Sequence, residues 1–294
     1  MRAIATRKRA HHRAGRTRGY RTAGLVVVWM VLMQTIAGRI NLPHGQETCR
    51  APSRAGADYA LEFDGADDYV LIPPNPNLDL RDSLTVSAWV QSHGDDDGQI
   101  FWRGDTRAGF DPYCLHVHDN GKMEFRVDAT GGNVRLTAKS RSPLDGAFHF
   151  WTGVKDTPSG KPYLYKDGEL EATTNTTQTI NYDTSAMWNV IGALDFGNKE
   201  RFDGVIDGIQ LWNRALTQDE VRHYMYRAPR GDEPGLVGYW NFNEGSGQVV
   251  HDGSGHGADG MLGQSSAADA TDPRWVASSV PVQTAASPSW ILYP

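Results

Sequence analysis

The sequence predicts an all-β protein of the sandwich class with one short helix. Short alternating segments are separated by turn residues roughly every 8–15 positions, which is typical of a β-sandwich. The best example has apolar Leu84, Val86 and Ala88 two residues apart, with Thr85 and Ser87 between them. This period of two belongs to a strand with one buried face.

Two hairpins have clear turn signals. An Asn-Gly pair at 120–121 and an Asp-Gly pair at 167–168 each separate two alternating segments. These dipeptides accept the positive φ angles of tight hairpin turns, so each pair predicts two adjacent antiparallel strands.

The one helix with convincing signals begins after Thr217. Glu220 follows three residues later, which forms a capping box, and Val221, Tyr224 and Met225 then give a helical apolar face. The sequence therefore predicts a brief amphipathic helix.

The first 37 residues are predicted to be an export signal. They contain eight Lys or Arg and no acid, then an apolar run that starts at Leu25 and a small-residue exit at 35–38. The apolar run is shorter than the ~20 residues of a membrane span, although an uncleaved signal anchor is the alternative. A linker is predicted at 38–56, and no membrane span remains after cleavage.

Charge and cysteine content narrow the class of partner. Beyond residue 37 the chain has 21 basic and 35 acidic residues, a net charge of −14. Such a surface disfavours nucleic acid and anionic membranes and suits cations or neutral polymers. Cys49 and Cys114 could form a disulfide in an oxidising compartment, or they could be unrelated thiols.

A family resemblance follows from the turn at 63–70. Phe63-Asp64-Gly65, followed by Asp67, Asp68, Tyr69 and Val70, resembles the opening of the laminin-G-like (LamG) jelly-roll family. Segments 148–170 and 202–221 are similar to its central hairpin and its closing strand and helix. The resemblance covers 57–227 and implies a concanavalin A-like jelly-roll sandwich of two antiparallel sheets, mostly a binding fold. The family usually has Glu where this chain has Gly208.

The segment 228–282 resembles the part of the sequence that normally begins such a domain. It could be a second, truncated repeat, or it could fold back and cover an open sheet edge. The apolar run at 239–242 favours the fold-back, because it is too apolar to lie in solvent. Residues 283–294 are predicted to be a flexible tail.

No catalytic residue is predicted. The glucanases of the superfamily carry a Glu-x-Asp-x-Glu run, whose period of two puts the carboxylates on one strand face. Glu62 and Asp64 supply two of its members, but Ala66 occupies the third position and Gly65 interrupts the strand. The sequence therefore predicts a protein that is not an enzyme.

A calcium ion is the predicted cofactor. With strict alternation, Asp207 shares an apolar face with Val205 and Ile209, and a buried carboxylate needs a cation or several hydrogen-bond donors. Calcium prefers oxygen ligands, and relatives with bound calcium imply that the first turn meets the closing strand. The predicted ligands are Asp64, Asp67 and Asp207. The alternative is that Asp207 accepts backbone amides or pairs with an arginine.

Aromatic residues near predicted loops are the candidate ligand contacts. Trp102, Phe110, Tyr113 and Trp188 could stack on a sugar ring while their edges stay in water. For each of them, burial in the core is the more common role of an aromatic residue in a sandwich.

Two further patterns carry less weight. His116 and His118 lie two residues apart, as a metal-binding pair could, but the sequence shows no third ligand nearby, so an exposed strand face is favoured. The acidic run at 95–97 is interpreted as a solvated loop tip.

These observations predict a secreted or cell-surface binding module that takes carbohydrate and holds a structural calcium ion. An extracellular structural or adhesive domain with protein partners is the alternative. An atypical glycoside hydrolase is the third possibility.

Overall fold

A computed structural model describes residues 58–281, apart from 95–96, 106, 108–109, 131, 140–144, 177, 182–186 and 196–198. The predicted export signal, the linker, Cys49 and the predicted tail lie outside these residues. Among the described residues, no helix has the length and apolar character that a membrane crossing requires.

The described residues form two antiparallel sheets of eight strands each and one α-helix, which confirms the predicted all-β sandwich. The strands in chain order are β1 (Tyr59–Asp64), β2 (Val70–Ile72), β3 (Leu84–Ser92), β4 (Gly98–Gly104), β5 (Tyr113–His118), β6 (Lys122–Val127), β7 (Val134–Thr137), β8 (His149–Asp156), β9 (Lys161–Lys166), β10 (Glu169–Thr173), β11 (Trp188–Ile191), β12 (Asp203–Trp212), β13 (Leu236–Trp240), β14 (Val249–Val250), β15 (Gly260–Leu262) and β16 (Arg274–Ala277). The helix α1 spans Gln218–Tyr226.

The first sheet has the order β10-β9-β8-β3-β12-β1-β16, and β13 also pairs with β12. The second sheet has the order β14-β15-β2-β11-β4-β5-β6-β7. Both predicted hairpins are present, since β5 pairs with β6 and β9 pairs with β10.

Strand β12 is bonded along both of its edges. Along one edge it pairs with β3, and along the other it pairs first with β1, where Asp203 lies opposite Asp64, and then with β13, where Ile209 lies opposite Trp240. The register with β3 shifts between Asp207 and Gln210, and Gly208 between them has φ +57°. This β-bulge inserts one residue, so the side chains beyond it change faces.

The main core lies between the two sheets. Its largest fully buried side chains include Phe63, Phe101, Trp151 and Trp240. A second apolar cluster lies on the opposite face of the first sheet, where α1 packs Val221 and Met225 near Trp212. The predicted capping box is present, because Thr217 accepts a hydrogen bond from the Glu220 amide and the Glu220 side chain accepts one from the Thr217 amide.

The segment after α1 folds back and adds strands to both sheets. Strand β13 pairs with β12, β16 pairs with β1, and β15 pairs with β2. Trp240 is fully buried in the main core, and its indole N–H donates to the Ala258 carbonyl at 2.8 Å. Strands β13, β14, β15 and β16 are therefore members of the two described sheets.

We predict that Trp240→Ala destabilises the whole sandwich by about 3–5 kcal/mol, because it removes a large buried side chain from between the sheets. Chemical denaturation measures the free energy of unfolding. Val249→Ala is the control, since Val249 is 41% exposed on the same segment. Equal losses for the two variants would contradict a core role for the segment.

Candidate functional site

A cleft of about 800 Å³ opens at the end of the sandwich where β3 begins. One wall is the crossing between β2 and β3, and the other comes from loops that precede and follow β13. This volume is within the range of small-ligand pockets in proteins, roughly 300–1,000 Å³. The lining includes Pro76, Asp79, Leu80, Asp82, Asp232, Glu233, Val237 and His256.

Hydrogen bonds between distant parts of the chain hold the two walls in place. The Asn75 side-chain amide donates to the His256 carbonyl at 3.0 Å, which links the walls directly. The Arg214 guanidinium donates to the Pro234 carbonyl at 3.0 Å, and the Asn213 amide donates to the Gly235 carbonyl at 2.8 Å. The cleft is therefore preformed by the fold.

The loop before β13 is shaped by a carboxylate. The side chain of Glu233 accepts hydrogen bonds from the backbone amides of Arg230 at 2.8 Å and Gly231 at 3.0 Å. These bonds satisfy both oxygens within the loop. Glu233 thus serves the cleft as a structural residue.

The acidic side chains of the cleft have different environments. Asp79 pairs with the guanidinium of Arg103, which is 1% exposed and also donates to the Asn189 side-chain oxygen at 2.9 Å. The carboxylates of Asp82 and Asp232 are exposed and accept no hydrogen bond from the described residues. These two carboxylates are the acceptors that the cleft can offer to a ligand.

The floor of the cleft is apolar. Leu80 and Val237 are 5% and 4% exposed and belong to the main core. Polar acceptors above an apolar floor are the usual composition of a small-ligand site.

The outer face of the second sheet holds a polar network instead of an open site. Asp111 accepts hydrogen bonds from the Trp102 indole at 2.9 Å and from the Arg126 guanidinium at 2.7 Å. The Asp111 amide donates to Asp128 at 3.2 Å. Burial, opposed by Arg126, raises the pKa of Asp111 to about 6.

The same face has a second set of buried polar side chains, two residues further along β5 and β6. His116 Nε2 lies 3.1 Å from Glu124 Oε1, and Thr137 donates to the other Glu124 oxygen at 3.0 Å. Burial raises the pKa of Glu124, but His116, Thr137 and Arg135 outweigh that effect and hold it below its ordinary value. The side chains of His116 and Glu124 are each 4% exposed, so this face offers little room for a ligand.

Two of the four predicted ligand contacts are wrong. Trp102 and Tyr113 are fully buried, because β4 and β5 are interior strands of the second sheet. Tyr113 stacks on Phe101 with ring centroids 6.1 Å apart, and its hydroxyl donates to the Leu78 carbonyl at 2.9 Å. Neither side chain has surface on which a sugar ring could stack.

The other two aromatic residues remain predictions. Trp188 is 8% exposed, and Phe110 is half-buried beneath the guanidinium of Arg107, which lies 4.3 Å from the ring centroid. Neither residue lines the cleft.

The predicted calcium ligand Asp207 lies away from the first turn, which corrects the predicted site. Asp203 is the residue opposite Asp64, so four strand residues, about 13 Å, separate Asp207 from that turn. The bulge at Gly208 also puts Ile209, but not Asp207, into the main core. The Asp207 carboxylate instead accepts a hydrogen bond from the Ser278 hydroxyl at 2.5 Å.

The first turn nevertheless gathers three carboxylates. Oxygens of Asp64, Asp67 and Asp68 lie within 4.8 Å of one another. Asp64 accepts from the Ala66 amide at 2.8 Å, and Asp68 accepts from the Asp64 amide at 2.9 Å. Burial, with nearby acidic groups such as Asp272, raises the pKa of Asp68 to about 7.

Cys114 is a buried free thiol on the outer face of the second sheet. Burial raises its pKa to about 12, which leaves it protonated and unreactive at neutral pH.

The two packed antiparallel sheets are those of a jelly-roll sandwich. Residues 64–222 match the concanavalin A-like lectin/glucanases superfamily, and the chain belongs to this family. No curated protein sequence matches the chain.

Solved structures with the same fold come from distant proteins. One is a Bacteroides ovatus protein described as a candidate carbohydrate-binding protein, with 19% sequence identity and a TM-score of 0.58. The match covers 77% of this chain and 62% of the Bacteroides ovatus chain. The heptameric SAP-like pentraxin of Limulus polyphemus is 19% identical with a TM-score of 0.47, over 71% of this chain and 96% of that one. Domains LG4-5 of the mouse laminin α1 chain are 17% identical with a TM-score of 0.44, over 60% and 48% of the two chains.

The environment of Asp207 predicts a pH effect on stability. Asp207 is 5% exposed, and burial, opposed by hydrogen bonds from Ser278 and the Gly208 amide, raises its pKa from 3.8 to about 7. Between pH 3.8 and about pH 7, the Asp207 carboxyl is ionised in the unfolded chain but keeps its proton in the folded protein. Its contribution to stability is therefore present below pH 4 and is lost as the pH rises to 7.

We expect Asp207→Asn to become more stable relative to the unsubstituted protein as the pH rises from 4 to 8. Denaturant unfolding at several pH values measures the difference in free energy. Asp219→Asn, at a carboxylate 95% exposed on α1, is the control and is expected to show no such trend. A pH-independent difference for Asp207→Asn would contradict the raised pKa.

Proposed function

We propose that the protein is an exported, non-catalytic module that binds carbohydrate in the cleft at the start of β3. The observation that carries the proposal is the pair of exposed carboxylates, Asp82 and Asp232, in the preformed cleft. Carboxylates accept hydrogen bonds from sugar hydroxyls, and a cleft of this volume can hold a small saccharide.

The charge of the cleft favours a neutral sugar. Asp82 and Asp232 accept no hydrogen bond from the described residues, although the Lys155 ammonium interacts electrostatically with Asp82, whereas Asp79 is paired with Arg103. Arg81 is the cationic side chain of the lining. An acidic sugar would meet like charge from two carboxylates, which disfavours its binding.

The non-catalytic part of the proposal rests on the strand sequences. Retaining glycoside hydrolysis needs two carboxylates about 5–5.5 Å apart on the two sides of the scissile bond. The alternating carboxylate run that supplies them in glucanases is interrupted here at Gly65 and Ala66. Export is inferred from the basic and apolar start of the sequence.

A glycan array probed with the full chain tests this function. We expect binding to neutral glycans, and Asp82→Ala combined with Asp232→Ala to weaken it at least tenfold, because the exposed acceptors are lost. Asp219→Asn is a matched control with one exposed acid changed outside the cleft. A melting curve for each variant checks that the fold is retained.

Three outcomes would contradict the proposal. Binding that survives the double substitution would exclude the cleft as the site. Binding to basic peptides, with no signal on any glycan, would favour the adhesive alternative, since an acidic cleft also suits a basic protein segment. Hydrolysis of a bound glycan would restore the glycosidase alternative.

We further propose that calcium binds the first turn through Asp64, Asp67 and Asp68. The support is the convergence of three carboxylates, one of which, Asp68, is buried, and this burial raises the pKa of Asp68 to about 7. A hard divalent ion would neutralise this cluster, and each carboxylate can supply an oxygen ligand. Calcium would stiffen the turn between β1 and β2.

Calcium is expected to raise the melting temperature at pH 8 and to have less effect at pH 5, where Asp68 keeps its proton and binds cations poorly. Differential scanning calorimetry with calcium or a chelator measures the shift. Asp67→Asn should abolish the shift, whereas Asp207→Asn should preserve it. The reverse pattern would support the predicted ligand set that includes Asp207.

A further inference from the structure

A second group of metal-binding side chains lies at the opposite end of the second sheet from the cleft. Atoms of Asp97, His118 and Asp119 that could bind a metal lie within 4.8 Å of one another. His118 is the last residue of β5, Asp119 follows it in the hairpin turn, and Asp97 immediately precedes β4. Pairing of β4 with β5, in which Gly98 lies opposite Val117, brings the three together.

Two of these ligand atoms lack hydrogen-bond partners among the described residues. Asp97 Oδ1 and His118 Nδ1 are both buried, and neither makes a hydrogen bond to a described residue. His118 Nδ1 lies in ion-pair contact with Asp119 Oδ1, the third member of the group. A buried carboxylate oxygen without a donor is costly unless a cation is beside it.

The neighbouring histidine supports the same interpretation. His116 projects from the same face of β5 as His118, and the two ring centroids are 6.1 Å apart. Its side chain is 4% exposed, its Nδ1 makes no hydrogen bond to the described residues, and its Nε2 is held by Glu124. The His116 ring therefore has a fixed position beside His118.

We propose that Asp97, His118 and Asp119 bind one divalent first-row transition ion, zinc being the best fit. An imidazole nitrogen with two carboxylate oxygens is a borderline donor set that zinc accepts, whereas calcium prefers oxygen ligands alone. Three protein ligands leave a fourth position for water.

The ion would join the end of the β3–β4 connection to the β5–β6 hairpin. The backbone pairing of β4 with β5 already brings these two segments side by side. The site shares no residue with the carboxylate cluster at Asp64, Asp67 and Asp68, so zinc and calcium responses can be separated by substitution.

Zinc titration of the chelator-treated full chain tests the proposal. We expect one equivalent of Zn²⁺ to raise the melting temperature, and Co²⁺ to give a visible absorption band typical of a site with nitrogen and oxygen ligands. His118→Gln and Asp97→Asn should each weaken Zn²⁺ binding at least tenfold. His93→Gln, at an exposed histidine elsewhere, should leave it unchanged.

If a substitution at a buried residue prevents folding, Asp119→Asn still tests the proposal, because the Asp119 carboxylate is 70% exposed. This variant should fold, as judged by its melt without metal, and should still lose Zn²⁺ affinity. Absence of any zinc-dependent shift, or a shift and a Co²⁺ band that survive Asp119→Asn and His118→Gln, would overturn the proposal. A response to Ca²⁺ that is lost with His118→Gln would also overturn the assignment to a transition ion.

Discussion

The structure depends on the pairing of β12 along both of its edges. One edge is occupied throughout by β3, and the other is divided between β1, near the start of the domain, and β13, beyond the helix. Because β12 binds segments from both parts of the chain, neither part can complete the first sheet alone. The bulge at Gly208 lies where the second edge passes from β1 to β13, and it keeps Ile206 and Ile209 in the same core.

The fold-back of the last strands connects this architecture to the cleft. The same segment that places Trp240 between the sheets also supplies the loop with Asp232 and the wall with His256. The geometry of the cleft and the stability of the core therefore depend on one set of contacts. The opposite end of the sandwich gathers acidic groups around the first turn and the β5–β6 hairpin, so the two ends differ in chemistry.

The fold could be predicted from the sequence because its signals are local. Alternation at 84–90, the dipeptide turns at 120–121 and 167–168, and the capping box at Thr217 each depend on a few adjacent residues, and all are found in the structure. Alternation predicts that Asp207 and Ile209 share one face of the strand. The bulge after Asp207 reverses the faces from Ile209 onward, so the two side chains lie on opposite faces. The sole local signal for that bulge was Gly208, where the family usually has Glu.

The candidate sites were harder to predict because distant segments build them. Asp82 and Asp232 are separated by 150 residues, and no spacing pattern joins them. The proposed ligand Asp97 was missed for the same reason. It is distant from His118 in sequence, and the pairing of β4 with β5 places the two residues side by side. Trp102 and Tyr113 were misjudged because an aromatic residue near a loop in sequence can still project from an interior strand.

The pairing of β1 with β16 also has a mechanical consequence. Tyr59 lies opposite Ala277, and the Ser278 amide donates to the Asp58 carbonyl at 2.8 Å, so the chain enters and leaves the domain side by side. In an antiparallel pair held this way, tension applied through both ends loads the hydrogen bonds one after another rather than together. Pulling would therefore peel β16 from β1 at low force, and the Trp275 and Arg274 contacts would be the last of that ladder to open.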